Sequence, residues 1–128
     1  MRGSCLCEAV QFDVDLPFER LAKCHCSRCQ KASGTAHSVN AVVRPAAFRW
    51  IIGENRVLRY DLPSARSFAT AVCRICGCPV PHPTRDGIFI IVPVGALDGS
   101  LGVAPDHHMH WESRADWYEQ SEQMPRPG

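Results

Sequence analysis

The 128-residue chain has no charge of one sign to spare: 14 Lys and Arg face 13 Asp and Glu, a formal net charge of +1. Without a global field to recruit nucleic acid or an anionic membrane, a nonspecific polyanion binder is disfavoured. Long apolar runs are missing too. Although 45% of residues are hydrophobic, Arg, Pro or Gly breaks each run well short of the roughly 20 residues of a membrane span, so no membrane partner is expected. The 3.6-residue period never lasts three turns, and the sequence contains no internal repeat or low-complexity tract. Met1-Arg2-Gly3-Ser4-Cys5 has no charged segment leading into an apolar one, so export is not expected and a cytoplasmic location is. The length suits one domain and leaves no room for two. We expect that domain over residues 1–120 and a tail over residues 121–128, loosely ordered from Met124 onward.

Cysteine, by contrast, is abundant, with eight in the chain against three methionines. They fall in three knuckles: Cys5-Leu6-Cys7, Cys24-His25-Cys26-Ser27-Arg28-Cys29 and Cys73-Arg74-Ile75-Cys76-Gly77-Cys78. In a reducing compartment such spacing points to metal ligation rather than to a disulfide framework. Two intervening residues let the chain fold back and present both sulfurs to one side of a zinc tetrahedron, and a C-x-C pair does so on a tight turn. Four thiolates close a structural site, whereas three leave a position for water or substrate. Cys5, Cys7, Cys73 and Cys76 make one closed set, and Cys24, Cys26 and Cys29 one open set. Spacing alone leaves other groupings open, among them Cys24 and Cys26 or Cys29 with the Cys73 pair, or Cys78 in place of Cys76.

The remaining pattern is mainly β. Val10 to Val14 alternates apolar and polar residues, as do His37 to Val43 and Arg66 to Val72, the last running straight into Cys73. The first and third knuckles are therefore expected at the ends of paired strands. Phe48 to Ile52 and Arg56 to Tyr60 flank a hairpin-length Gly53-Glu54-Asn55, and the apolar run Ile88 to Val92 suits a central strand. Ser27 to Ala32 suits one helical turn closed by Gly34. Gly95 to Pro105 reads as loop, His107 to Trp111 as a last strand, and Arg114 to Glu119 as a short helix or turn. In such a strand His108 and His110 share a face without an acidic or thiol neighbour, so no third metal site is expected.

Three segments together resemble the family of glutathione-dependent formaldehyde-activating enzymes and centromere protein V. They are Gly3-Ser4-Cys5-Leu6-Cys7-Glu8-Ala9-Val10, Cys24-His25-Cys26-Ser27-Arg28-Cys29-Gln30-Lys31-Ala32-Ser33-Gly34 and Cys73-Arg74-Ile75-Cys76-Gly77. Further similar segments extend the resemblance over nearly the whole chain. It implies a β-tent, curved antiparallel sheets pinned by zinc, with short helical turns. It also implies a structural zinc on Cys5, Cys7, Cys73 and Cys76, a second, catalytic zinc on Cys24, Cys26 and Cys29, and glutathione as substrate beside it. The implied partners are a small-molecule thiol and an aldehyde, joined as S-hydroxymethylglutathione by a carbon–sulfur lyase running in reverse. The centromere protein V branch implies the alternative, a noncatalytic zinc-stabilised binding module, for which the near-neutral chain supplies no basic stripe.

Three thiolates on Zn²⁺ carry a net charge of −1, which Arg28 and Lys31 are placed to offset. Ser33 and Gly34 are candidates to shape the pocket with backbone N–H groups. His25, between two ligands, points away from the metal, as a hydrogen-bond partner behind it or as a packed core imidazole. Glu8 stands where the family commonly has glycine, and Cys78 is a thiol beyond the family's pair.

Overall fold

In the strand Gln11–Val14, Phe12 and Val14 are fully buried while Gln11 and Asp13 keep partial exposure. The same period of two builds most of the chain. The computed structural model describes residues 1–128. In chain order the strands are β1 (Arg2–Ser4), β2 (Gln11–Val14), β3 (Arg20–Cys24), β4 (Ser38–Val43), β5 (Phe48–Ile52), β6 (Val57–Asp61), β7 (Ala69–Cys73), β8 (His82–Pro83), β9 (Ile90–Pro93) and β10 (His108–Met109). The helices are α1 (Ser27–Ser33) and α2 (Tyr118–Ser121). This is the mainly β architecture with short helical turns that the sequence suggests.

Three sheets result: β1-β2-β5, β10-β3-β4-β9-β8 and the pair β6-β7. All ladders are antiparallel except that of β10 with β3, where His108 pairs Lys23 and Met109 pairs Cys24. The main core lies between the first two sheets. Phe12 and Val14 meet Leu21, Ala41, Val43, Ile90 and Val92, with Phe48 and Trp50 packed at the margin. A second apolar cluster, Cys5, Val10, Ala71, Cys73 and Val80, gathers where the first sheet approaches β7. Only 21 of 128 residues are buried, and the accessible surface is 7955 Å². A monomer of this mass ordinarily exposes about 6,800 Å². The apolar core is thus small for the chain, and cross-links between sheets matter correspondingly more.

Several local expectations change. The first and third knuckles do not sit on paired strands: β1 belongs to the three-stranded sheet and β7 to the two-stranded one, so side chains rather than a backbone ladder join them. The strand expected over His107 to Trp111 shrinks to two residues, because His110 takes a left-handed conformation (φ 55°) and opens a turn of 3-10 helix at Trp111–Ser113. His108 and His110 therefore share no strand face. The strand expected from Arg66 begins only at Ala69, because Arg85 gathers the preceding loop around its guanidinium. Its Nη1 donates to the carbonyls of Ala65 (2.8 Å) and Arg66 (3.2 Å), and its Nη2 to those of Leu62 (2.7 Å) and Phe68 (3.0 Å).

Arg85→Ala leaves those part-buried carbonyls without their charged donor and is expected to lower unfolding free energy by about 1.5–3 kcal/mol in urea titrations. Arg85→Lys should restore little, since an ammonium cannot reproduce the planar fork.

Candidate functional site

The first knuckle follows β1 directly. Cys5 N–H bonds to the Val10 carbonyl (3.0 Å), Glu8 N–H to the Cys5 carbonyl (3.0 Å), and Val10 N–H donates to the Cys5 sulfur (3.3 Å). The turn holds Glu8 in the left-handed region (φ 65°), a conformation that favours glycine. Gly53 seals the knuckle from outside. Its φ is 86°, and a Cβ there would collide with the Ala9 carbonyl. The third knuckle repeats the device at the end of β7: Ile75 N–H donates to the Cys73 sulfur (3.4 Å), Gly77 N–H to the Cys73 carbonyl (2.8 Å) and Cys73 N–H to the Cys78 carbonyl (2.9 Å).

These turns bring Cys5, Cys7, Cys73 and Cys76 together, their four sulfurs all within 4.8 Å of one another. Cys5 lies 3.7 Å from Cys7, and Cys7 lies 3.9 Å from Cys73. A tetrahedron of Zn–S bonds of about 2.3 Å has S···S edges of about 3.8 Å, so the group fits zinc. None of the eight cysteines is in a disulfide. The backbone N–H of Cys78 holds the Cys76 thiol down at about 6, and deprotonating all four thiols at such separations calls for a cation among them. Cys78 stays outside: its sulfur turns to the Pro79 carbonyl (3.3 Å), and burial pushes its thiol up.

The second group sits where β3 gives way to α1. Cys24 ends the strand, Cys26 caps the helix by accepting from Cys29 N–H (3.3 Å), and Cys29 lies one turn in. Their three sulfurs also lie within 4.8 Å of one another, with no fourth protein ligand in the group. Burial pushes the thiols of Cys24 and Cys29 up. Of the five buried side-chain polar atoms without a hydrogen-bond partner, three (His25 Nδ1, His37 Nδ1 and Ser38 Oγ) flank Cys24 at this end of the sheet. Of the three, Ser38 Oγ shares the face of the thiols, and a buried hydroxyl left so beside three sulfurs fits a site completed by a bound group.

Alternation places the thiols and the imidazoles on opposite faces of the sheet. Ser38 pairs with Cys24, so the β3–β4 ladder continues to His25 beside His37 on the core side. His25 is fully buried, with Nε2 2.8 Å from His108 Nδ1 and its ring against those of His37, Trp111 and Tyr118. It is thus both hydrogen-bonded and packed. Burial first, and then the facing His37 and His108, keep it neutral by lowering its pKa. Gln30 ties the two layers by donating to the carbonyls of His25 (2.9 Å) and Ser113 (3.1 Å). The sequence reading missed this imidazole–aromatic cluster because its members are scattered from residue 25 to residue 118. The histidines near the C-terminus were the available signal.

Arg28 and Lys31 are exposed on α1. Ser33 and Gly34 close that helix: Gly34, in the left-handed conformation, donates to the Gln30 carbonyl (2.8 Å), and the Ser33 hydroxyl lies 3.0 Å from that of Thr35.

A family model described as glutathione-dependent formaldehyde-activating enzyme matches residues 1–113, a span that contains all eight cysteines. The chain belongs to that family. Among solved structures, a Rhodobacter sphaeroides protein known from a crystal structure is 28% identical, with a TM-score of 0.65 over 82% of this chain and 98% of that one. No curated protein matches the chain. In this member of the glutathione-dependent formaldehyde-activating family, the match ends just before Arg114, so α2 and the Tyr118 ring against His25 lie beyond it.

Two outcomes test the division of thiols. Cys5→Ser is expected to unfold the protein at ordinary temperature, whereas Cys26→Ser should stay folded and lose zinc from one site only, read as zinc per chain in protein purified without added metal. The reverse pattern would exchange the two assignments. Glu8→Gly should raise unfolding free energy by about 1 kcal/mol by relieving the left-handed turn, measured by thermal melting.

Proposed function

We propose that the chain joins the thiol of glutathione to formaldehyde, giving S-hydroxymethylglutathione, a carbon–sulfur lyase reaction run in the synthetic direction. The observation that carries this reading is the unequal pair of thiol groups, one closed at four and one open at three, within a chain of this family. Cys5, Cys7, Cys73 and Cys76 would hold a structural zinc. Cys24, Cys26 and Cys29 would hold a second. When bound at the open group, zinc supplies a Lewis-acid position for a thiolate or a carbonyl oxygen.

The chain's own residues set the surroundings of that position. The Cys26 helix cap and the Gln30 clamp on the His25 carbonyl fix the knuckle so that its three sulfurs face one side. On the other side His25, held neutral, packs the knuckle rigidly and adds no charge. Arg28 and Lys31 are exposed and long enough to meet the carboxylates of glutathione as it approaches an anionic trio. Ser33 and Gly34 close the far end of α1, and the Gly34 N–H goes to the Gln30 carbonyl rather than to a ligand. In the addition a carbon–sulfur bond forms, the carbonyl π bond breaks, and the proton of the thiol ends on the new hydroxyl, with no change of oxidation state. We take residues 1–120 as the working domain, residues 121–128 as a tail and the cytoplasm as its place. No helix is long and apolar enough to cross a membrane.

Exchange NMR of glutathione with formaldehyde tests the reaction: wild type should exceed the spontaneous rate, and Cys26→Ser should return to it while remaining folded. A protein that carries both zinc ions yet accelerates no thiol–aldehyde pair is the noncatalytic zinc-stabilised module instead.

A further inference from the structure

Ser38 opens β4 directly across the ladder from Cys24 and on the same face of the sheet. That face is the one on which α1, carrying Cys29, lies over β4. The Ser38 hydroxyl is buried and has no well-formed hydrogen bond. Its neighbour His37 points to the opposite face and packs on His25 and Tyr118, so it offers Ser38 nothing. What the hydroxyl shares its face with is the open thiol group: Cys24 stands directly across the ladder, and the Cys29 sulfur, on the helix packed against β4, lies within 4.8 Å of the Cys24 sulfur. While Cys29 carries its proton, its sulfur is a weak acceptor and the hydroxyl hydrogen has no good destination. Once the sulfur is a metal-bound thiolate it becomes a strong acceptor, and the orphaned hydroxyl is satisfied.

We infer that the Ser38 hydroxyl donates a hydrogen bond to the Cys29 thiolate and so sets how much electron density that sulfur gives to a metal at the open group. Ser38 is then a positioning residue, acting through Cys29 rather than on substrate. The inference rests on the metal-binding part of the proposed function and not on the reaction. A hydrogen-bonded thiolate is a poorer donor, which leaves the metal more electrophilic and the sulfur less open to oxidation.

Cobalt(II) in place of zinc reads this directly, through the thiolate-to-metal charge-transfer band of the second equivalent bound. Relative to wild type, Ser38→Ala should move that band to lower energy and weaken binding of the second cobalt about tenfold, with the first equivalent unchanged. Ser38→Thr, which keeps the hydroxyl, should restore both. Superimposable wild-type and Ser38→Ala spectra, a Ser38→Thr protein that behaves as Ser38→Ala, or a wild type that binds no second cobalt would each overturn the inference. If Ser38→Ala does not fold, Ser38→Gly takes its place, and unfolding of both overturns it by making the hydroxyl a structural requirement. A band shift in a protein whose wild type accelerates no thiol–aldehyde addition supports the inference while removing the reaction, so the two can fail separately.

Discussion

Four sulfur atoms meeting between two sheets are the constraint on which this fold depends. β1 delivers Cys5 and Cys7, β7 delivers Cys73 and Cys76, and no backbone ladder joins those strands. What lies beneath the junction is small: Val10, Ala71 and Val80, with Trp50 and Val57 packed alongside. Side chains of that size bury too little apolar surface to fix two sheets against each other. A metal held by the four thiols would supply that free energy through ligand bonds, and only with all four ligands in register. The knuckle hydrogen bonds to Cys5 and Cys73 and the glycine forced at Gly53 keep the register before any metal arrives.

The second thiol group obeys a different logic. It stands at the end of β3, an interior strand of the large sheet, rather than between sheets, and its support comes from behind. The polar cluster of His25, His37, His108, Trp111 and Tyr118 prolongs the apolar core to the sheet's end. A group of rings so placed stiffens the end of the sheet behind the thiols. It also draws residues after position 113 into the support of the site, so the C-terminal segment does more than close the chain.

Closed and open thiol sets in one small chain separate the tasks of holding and reacting. A metal with four protein ligands has no vacancy, and its knuckles bury two of the sulfurs, those of Cys5 and Cys73. A metal with three keeps one position open, and its knuckle is steadied from behind by Gln30, which donates to the His25 carbonyl between two of the thiols. Under the proposed function, the closed set serves stability and the open set reactivity in a chain whose core is small for its length.

The sequence by itself determined the mainly β class, the three knuckles and, through the resemblance they carry, the family. Each of these is local: period-two alternation and two-residue ligand spacing are written in contiguous residues. Strand ends were less legible. β1 and β8 carry too few residues to show a period, β3 buries the adjacent Leu21 and Ala22 and shows none, and the expected start of β7 at Arg66 gave way because Arg85, nineteen residues on, claims the loop carbonyls. Only the tertiary structure decided that the first and third knuckles meet across separate sheets, that Cys76 rather than Cys78 joins the group of four, and that His25 backs the open site together with rings as distant as Tyr118. Those facts depend on which face of which strand meets which, and that is fixed by packing over long sequence separations rather than by neighbours along the chain.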